Sequence, residues 1–184
     1  MTALAIRLTS RLARFVRDRR GLAAVEFALT LPLMLALYLG SVEVTQGVSI
    51  KRKVSLTAYA VADLASQHTS INNADMSNIL NAASAIIAPY ASGNLQTTVS
   101  ELAVDGQGQA TVVWSDSLGG SALTVGQAVT VPSSLAVPNT YLILGQAQYN
   151  YNPTYGYVLT STLTLSDQMF VLPRQSASVA RTSS

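Results

Sequence analysis

The chain has 184 residues, enough for one domain of modest size and a membrane segment. Only 11% of the residues are charged and the mean hydropathy is +0.32, values that are unusual for an ordinary soluble protein. The absence of cysteine excludes disulfides, thiolate catalysis and zinc–thiolate sites. The formal charge of +2 is unevenly placed: six arginines precede Gly21, whereas residues 54–173 hold six acids and no lysine or arginine. Because the basic residues lie in a tail before an apolar run, they indicate membrane orientation, and we expect no nucleic-acid partner.

Residues 1–21 predict a basic leader that stays in the cytoplasm. Apolar side chains recur there at i, i+4 and i+7 beside a stripe of arginines, a pattern typical of a segment on an anionic membrane surface. These apolar positions are Leu8, Leu12 and Phe15.

The apolar run from Leu22 to Gly40 predicts a transmembrane helix, which we extend to residue 47. The run holds a single charged residue, Glu26, and is just long enough to cross a hydrocarbon core of about 30 Å. Pro32 removes one helical hydrogen bond, so we expect a kink there. The arginine-rich flank predicts a cytoplasmic N-terminus at a bacterial inner membrane, with residues 48–184 outside the cytoplasm as a head domain.

Helical periodicity continues beyond the membrane segment and ends in the polar residues 67–73. The apolar positions near one face are Ile50, Val54, Val61 and Leu64. A second amphipathic helix is predicted over Ala74–Ala88, capped by Asn73 or Asp75 and ended by Pro89.

From residue 96 onward the pattern predicts antiparallel strands. Strands Gln96–Val104 and Gln109–Ser115 are joined by an Asp-Gly turn, which is a strong hairpin signal. A Gly- and Ser-rich stretch at 118–127 predicts a flexible connection to a second pair of strands, Thr140–Tyr151 and Tyr157–Ser166. The predicted fold class is therefore α+β: a membrane helix extended into a stalk, a second amphipathic helix, and a small antiparallel sheet with the helices on one side.

A glycine before the apolar run and an acid inside it match the layout of a type IV prepilin-like signal. Cleavage after Gly21 would create a free amine on Leu22, four residues before Glu26. In a bundle of such helices, the Glu26 carboxylate can pair with the Leu22 ammonium of a neighbour, which sets the register of assembly. The alternative from the same residues is an uncleaved anchor with Glu26 near the membrane interface.

The stretch RRGLAAVEFALTLPLMLALYLGSVEV resembles the start of TadE/TadG-like proteins of the tight-adherence (Flp, type IVc) pilus system. Gly21, Glu26, Phe27 and Pro32 fall on the positions of that motif. Three later elements also resemble the family, and they are Trp114-Ser115, Tyr149-Asn150-Tyr151-Asn152-Pro153 and Leu172-Pro173-Arg174.

The resemblance implies a pilin-like fold and a role as a minor pilin or pseudopilin. The length of the chain favours the TadE-like type, since TadG-like relatives are usually longer. Its implied partners are a prepilin peptidase, other pilus subunits, the inner-membrane assembly platform and the lipid bilayer. Gly21 and Leu22 would form the processing site, and Glu26 with Phe27 the assembly register. Cleavage would leave five basic and eight acidic residues, moving the formal charge from +2 to −3.

No pattern in the chain predicts an enzyme, a metal site or a cofactor. The single histidine, His68, lies in a polar stretch without metal-ligand spacing, and the serines lack a histidine base in any nucleophile motif. Tyr149 and Tyr151 share a strand face, which favours aromatic packing. With Pro153 they are alternatively possible subunit contacts.

Two other functions stay open from the sequence. One is an uncleaved single-pass scaffold whose acidic head recruits envelope partners. The other is a pseudopilin of a general secretion system, which shares the leader but not the later family-like elements.

Overall fold

The structure is a computed structural model that describes residues 20–153 and 161–183. Predictions for residues 1–19, including the amphipathic arginine segment, lie outside the described residues. The same applies to the first residues of the strand predicted from Tyr157.

A single long helix, α1, runs from Arg20 to Ser66, so the membrane segment and the stalk are one element. Pro32 lies inside α1 and does not end it. Pro32 has no N–H to donate to the carbonyl one turn earlier. Close by, the Thr30 hydroxyl donates to the carbonyls of Glu26 and Phe27, at 3.0 and 3.2 Å. Such bonds satisfy a hydroxyl within its own helix, which suits a helix that faces lipid.

The second helix, α2, spans Asn73–Ile87, within one residue of the prediction. The predicted cap was wrong, because the N-cap is Asn72. Its side-chain oxygen accepts the Asp75 N–H at 2.9 Å, and the Asp75 carboxylate accepts the Asn72 N–H at 3.3 Å. This reciprocal pair is a capping box, which places Asp75 in the first turn of the helix.

Five antiparallel strands form the main sheet in the order β4-β3-β2-β5-β6. Their bounds are β2 Leu95–Val104, β3 Ala110–Leu118, β4 Ala128–Val129, β5 Thr140–Tyr151 and β6 Leu163–Val171. Two short segments, β1 (Ser70–Ile71) and β7 (Ala180–Arg181), pair in parallel at the edge of α2. The α+β fold class is confirmed.

The last strand of the sheet differs from the predicted Tyr157–Ser166. β6 begins at Leu163, opposite Tyr151, and continues to Val171, opposite Ile143. The alternation of apolar and polar residues breaks at Ser166-Asp167-Gln168, but the strand continues to Val171, which packs on the core. The predicted strand therefore ended too early, at Ser166 instead of Val171.

The sheet has a buried cluster on each face. One face packs on α1 and α2, and its centre is the contact of β5 with α1 at Gly145. The other face is apolar around Leu142 and Leu144, where the connection between β3 and β5 (residues 119–139) covers it with Leu123, Val131 and neighbouring side chains. The helices therefore lie on one side of the sheet, as predicted, and a loop covers part of the other side.

Candidate functional site

The first part of α1 stands apart from the rest of the described chain. Residues 21–38, called here the free segment, are all exposed, and the apolar side chains are prominent among them. Leu22 is 68% exposed and Phe27 is 60% exposed. Burial begins at Gly40 and continues along one stripe of the helix through Gly47 and Ile50. The described part of the head, residues 40–153 and 161–183, therefore leaves the free segment uncovered.

The free segment has the length and polarity of a membrane span. The most apolar part of α1 has a mean hydropathy of 2.0, and none of that part is buried. Eighteen helical residues extend about 27 Å, close to the thickness of a hydrocarbon core. Within the described residues, α1 is the one helix long and apolar enough to cross a membrane. The structure indicates a protein anchored by a single membrane-spanning helix.

The predicted processing and register residues lie together at the start of this segment. A side chain added at Gly21 would meet no atom within 4 Å. Leu22 and Glu26 are four residues apart and share one face of the helix. Glu26 is exposed, so its carboxylate lies on a surface that the fold leaves to lipid or to another chain.

The family-like tyrosines lie where the head meets α1. Tyr149 and Tyr151 are 4% and 5% exposed and belong to the core between sheet and helices. The Tyr151 hydroxyl donates to Gln46 Oε1 at 3.2 Å, and its ring lies beside Gly47. Burial raises the pKa of Tyr151, and the nearby Glu43 adds to that effect. Packing within one chain accounts for both rings, and their role with Pro153 as subunit contacts stays a prediction.

Two lysines that follow the membrane segment, Lys51 and Lys53, have structural roles that no sequence pattern predicted. Lys51 pairs with Asp167 of β6 at 3.1 Å and donates to the Ser166 carbonyl at 2.7 Å. Lys53 donates to the carbonyls of Ile86 and Ala88, at 2.8 and 2.5 Å. A cation at these carbonyls complements the negative end of α2. The two lysines therefore attach the sheet and α2 to the stalk.

The C-terminal residues 172–183, called here the strap, return across the head to α1. The Arg174 side chain pairs with Asp63, and the Arg174 backbone N–H donates to the Ser66 carbonyl at 2.9 Å. Further along, Arg181 pairs with Asp116 at 2.8 Å, which raises the pKa of Arg181. The family-like element at Leu172-Pro173-Arg174 thus begins a segment that ties stalk and sheet together.

A buried carboxylate holds the strap from the sheet side. Glu101 is 2% exposed and accepts the N–H of Val179 at 2.5 Å and the indole N–H of Trp114 at 3.0 Å. The same indole N–H lies 2.7 Å from the Val179 carbonyl. Burial raises the pKa of Glu101, and the two donors oppose that rise. The available sequence signal for this contact was a charged residue inside a predicted strand.

The part of the chain that the structure describes contains no arranged set of metal ligands. No group of three or more His, Asp or Glu side chains there is placed to hold an ion. His68 lines a small cavity of about 230 Å³ with Asp75.

The model of the family described as TadE-like protein matches residues 21–63. This segment is TadE-like. It includes the free segment and the stalk as far as Asp63, the residue that Arg174 binds. No curated protein and no solved structure matches the chain. The resemblance drawn from the N-terminal motif is confirmed, and it suggests involvement in the tight-adherence pilus system.

The TadE-like match does not extend to the later elements that resemble the family. The elements around Trp114, Tyr149 and Arg174 lie beyond the matched residues. Their resemblance to the family stays a prediction. In the structure Tyr151 and Arg174 contact the TadE-like helix, whereas Trp114 binds Glu101 of the sheet and Val179 of the strap.

Proposed function

We propose that the protein is a minor pilin or pseudopilin, without enzymatic activity, that takes part in assembly of a Flp/tight-adherence pilus. Processing would occur after Gly21, by a prepilin peptidase. The observation that carries the proposal is the free segment: an exposed apolar helix that bears one carboxylate, in the region that matches the TadE-like family. Such a surface is covered by lipid before assembly and by other helices after it.

The position of Glu26 supports the assembly part of the proposal. A carboxylate inside a membrane helix costs roughly 2.5–3.5 kcal/mol on insertion scales. Glu26 is exposed among the described residues, so another chain can reach its carboxylate within the membrane and supply a partner for the charge. Cleavage after Gly21 would supply one, the new ammonium group of Leu22 on a neighbouring subunit. A buried ion pair adds little net stability, but it specifies which registers of the helices are allowed.

Charge placement supports the proposed location and partners. The arginines before Gly21 favour a cytoplasmic N-terminus and the acidic head a position outside the inner membrane. Cleavage would remove these arginines, which otherwise hold the N-terminus on the cytoplasmic side, and the helix could then leave the bilayer. The proposed partners are therefore the peptidase, other pilus subunits and the inner-membrane assembly platform.

The N-terminus of the protein from native membranes tests the processing step. We expect an intact mass and N-terminal sequence beginning at Leu22. Gly21→Ala tests the site without disturbing the fold, since the added methyl group meets no atom within 4 Å. Gly93→Ala is the matched control, because its methyl group is equally free. Processing that persists in Gly21→Ala, or a wild-type chain that keeps residues 1–21 in cells with active peptidase, would contradict the proposal.

The assembly step is tested separately at Glu26. Glu26→Gln is expected to abolish pilus assembly while leaving the amount of protein in the membrane unchanged. Leu29→Ala, at another exposed position of the free segment, controls for a general change of the helix surface. Wild-type assembly by Glu26→Gln would remove the register role and leave cleavage to be judged on its own result.

The second candidate is an uncleaved single-pass scaffold. The observation in its favour is the continuity of α1 from Arg20 to Ser66, which holds the head at a set orientation on its anchor. A chain that retains its leader in functional cells would select this candidate.

A further inference from the structure

An uncharged polar surface lies on the sheet face opposite the helices, beyond the part that residues 119–139 cover. β5 shows the change along one face: Leu142 and Leu144 lie under the loop, and Gln146 and Gln148 lie past its edge. The residues between them point to the other side, where Gly145 meets α1. The loop thus covers the apolar half of this face and leaves the polar half open.

The polar half consists of two cross-strand rows on three neighbouring strands. Residues directly opposite one another in a sheet place their side chains side by side. The register aligns the rows as Gln96–Gln148–Ser166 and Thr98–Gln146–Gln168. We call these six side chains the amide shelf.

The amide shelf forms the floor of a cavity of about 450 Å³, with Gly120 and Ser121 at its wall. This volume lies within the range of small-molecule sites. A β-carbon on Gly120 would lie 3.3 Å from Gln96, so the glycine lets the loop approach the shelf closely. The cavity is therefore bounded on one side by the end of the covering loop.

No charged side chain lies on the shelf itself. Asp167 also lines the cavity, but its carboxylate binds Lys51 and Ser55 of α1 on the opposite face of the sheet. These contacts lower the pKa of Asp167, the Ser55 hydrogen bond first. The shelf instead presents side-chain amides and hydroxyls, each of which both donates and accepts hydrogen bonds.

We propose that the amide shelf binds a neutral polysaccharide. A sugar hydroxyl donates and accepts as the shelf groups do, so the two surfaces match without any charge. An anionic polymer would find no cation there. A polypeptide held by its side chains fits less well, because the six polar side chains of the shelf offer no apolar pocket.

The shape of the surface favours a chain over a single sugar. The same face continues past the shelf through two more polar pairs, Asn150 with Thr164 and Asn152 with Thr162, joined by hydrogen bonds of 3.3 and 2.5 Å. From Gln146 to Asn152 the strand direction extends about 20 Å. The proposed site is thus the cavity over the shelf together with an uncharged polar strip that continues along β5 and β6.

Titration of the full-length protein with maltohexaose and chitohexaose tests the proposal, in a detergent that carries no sugar headgroup. Binding to at least one of them is expected. The double variant Gln146→Ala/Gln148→Ala should lose affinity by about tenfold or more, as expected for one or two lost hydrogen bonds. Gln107→Ala, on an exposed turn, is the matched control and should bind as wild type does.

Several outcomes would overturn the proposal. They are no binding of either oligosaccharide at millimolar concentration, equal binding by wild type and the double variant, and stronger binding of polygalacturonate or of a peptide to the shelf. Because a change of fold would also lower affinity, Gln148→Glu provides a second variant of the same size. It removes an amide donor and adds a charge, and its unfolding midpoint is measured beside its affinity. If Gln148→Glu has the unfolding midpoint and the oligosaccharide affinity of the wild type, that result would count against the site.

Discussion

The contact between β5 and α1 predicts an unusually large cost for one methyl group at Gly145. An ideal β-carbon there would lie 2.3 Å from the Ala58 carbonyl oxygen and 2.9 Å from Ala62 Cβ. Non-bonded heavy atoms do not approach so closely, and a helix backbone cannot rotate out of the way as a flexible side chain can. Gly145→Ala therefore has to move β5 away from the stalk.

The expected loss for Gly145→Ala lies at or above the upper end of the usual range for overpacking, about 3 kcal/mol. For a chain of this size, 1 kcal/mol corresponds to about 2–4 °C in Tm, so a decrease of roughly 6–12 °C is expected. The double variant Gly145→Ala/Ala62→Gly removes one of the two clashes. It should recover only part of the loss, because the Ala58 carbonyl stays in place.

Thermal unfolding of the full-length protein in detergent measures the effect. The fluorescence of Trp114, the only tryptophan, reports on the head, where it is buried. Gly93→Ala and Gly106→Ala are the controls, because a methyl group at either site meets no atom within 4 Å. If Gly145→Ala unfolds within about 1 °C of these controls, the close approach of β5 to α1 is refuted.

Four further changes test the strap, the buried acid and the helix cap. Trp114→Phe leaves Glu101 and the Val179 carbonyl short of a donor and should cost about 1–3 kcal/mol, measured by circular dichroism in urea. Arg174→Ala should cost no more than about 1 kcal/mol in the same assay, because its ion pair is half exposed and the backbone bond remains. The raised pKa of Glu101 means that the folded chain keeps this proton to higher pH than the unfolded chain. The contribution of Glu101 to the free energy of unfolding should therefore fall as pH rises from the ordinary glutamate range. Urea midpoints measured between about pH 4 and pH 8 should show this fall in the wild type and lose it in Glu101→Gln. If the pH dependence of the midpoint is the same in both proteins, the assignment is contradicted. Asn72→Ala should cost about 1 kcal/mol, whereas Asn72→Asp, which keeps the cap, should cost little.

Local patterns predicted most of the elements of this fold. The apolar run and its helical continuation predicted α1 as one element, and the bounds of β5 were predicted without error. These features depend on near neighbours in the chain, where period and turn chemistry carry the information. The processing and register roles of Gly21 and Glu26 were also predicted locally, since a glycine before an apolar run and an acid inside it are visible without any fold, and these roles stay predictions.

The attachment of the head to the stalk depends on contacts that no local pattern contains. Lys51 and Asp167 are neighbours only because β6 lies along α1, and Glu101 reaches Val179 only after the strap has crossed the sheet. The amide shelf likewise exists because the register brings glutamines of two strands into adjacent rows and the covering loop ends before them. The sequence by itself determined a membrane helix with an acid near its start and an α+β head. Only the tertiary structure decided which polar groups of that head are buried as ties and which remain open, because pairing across distant segments sets their solvation.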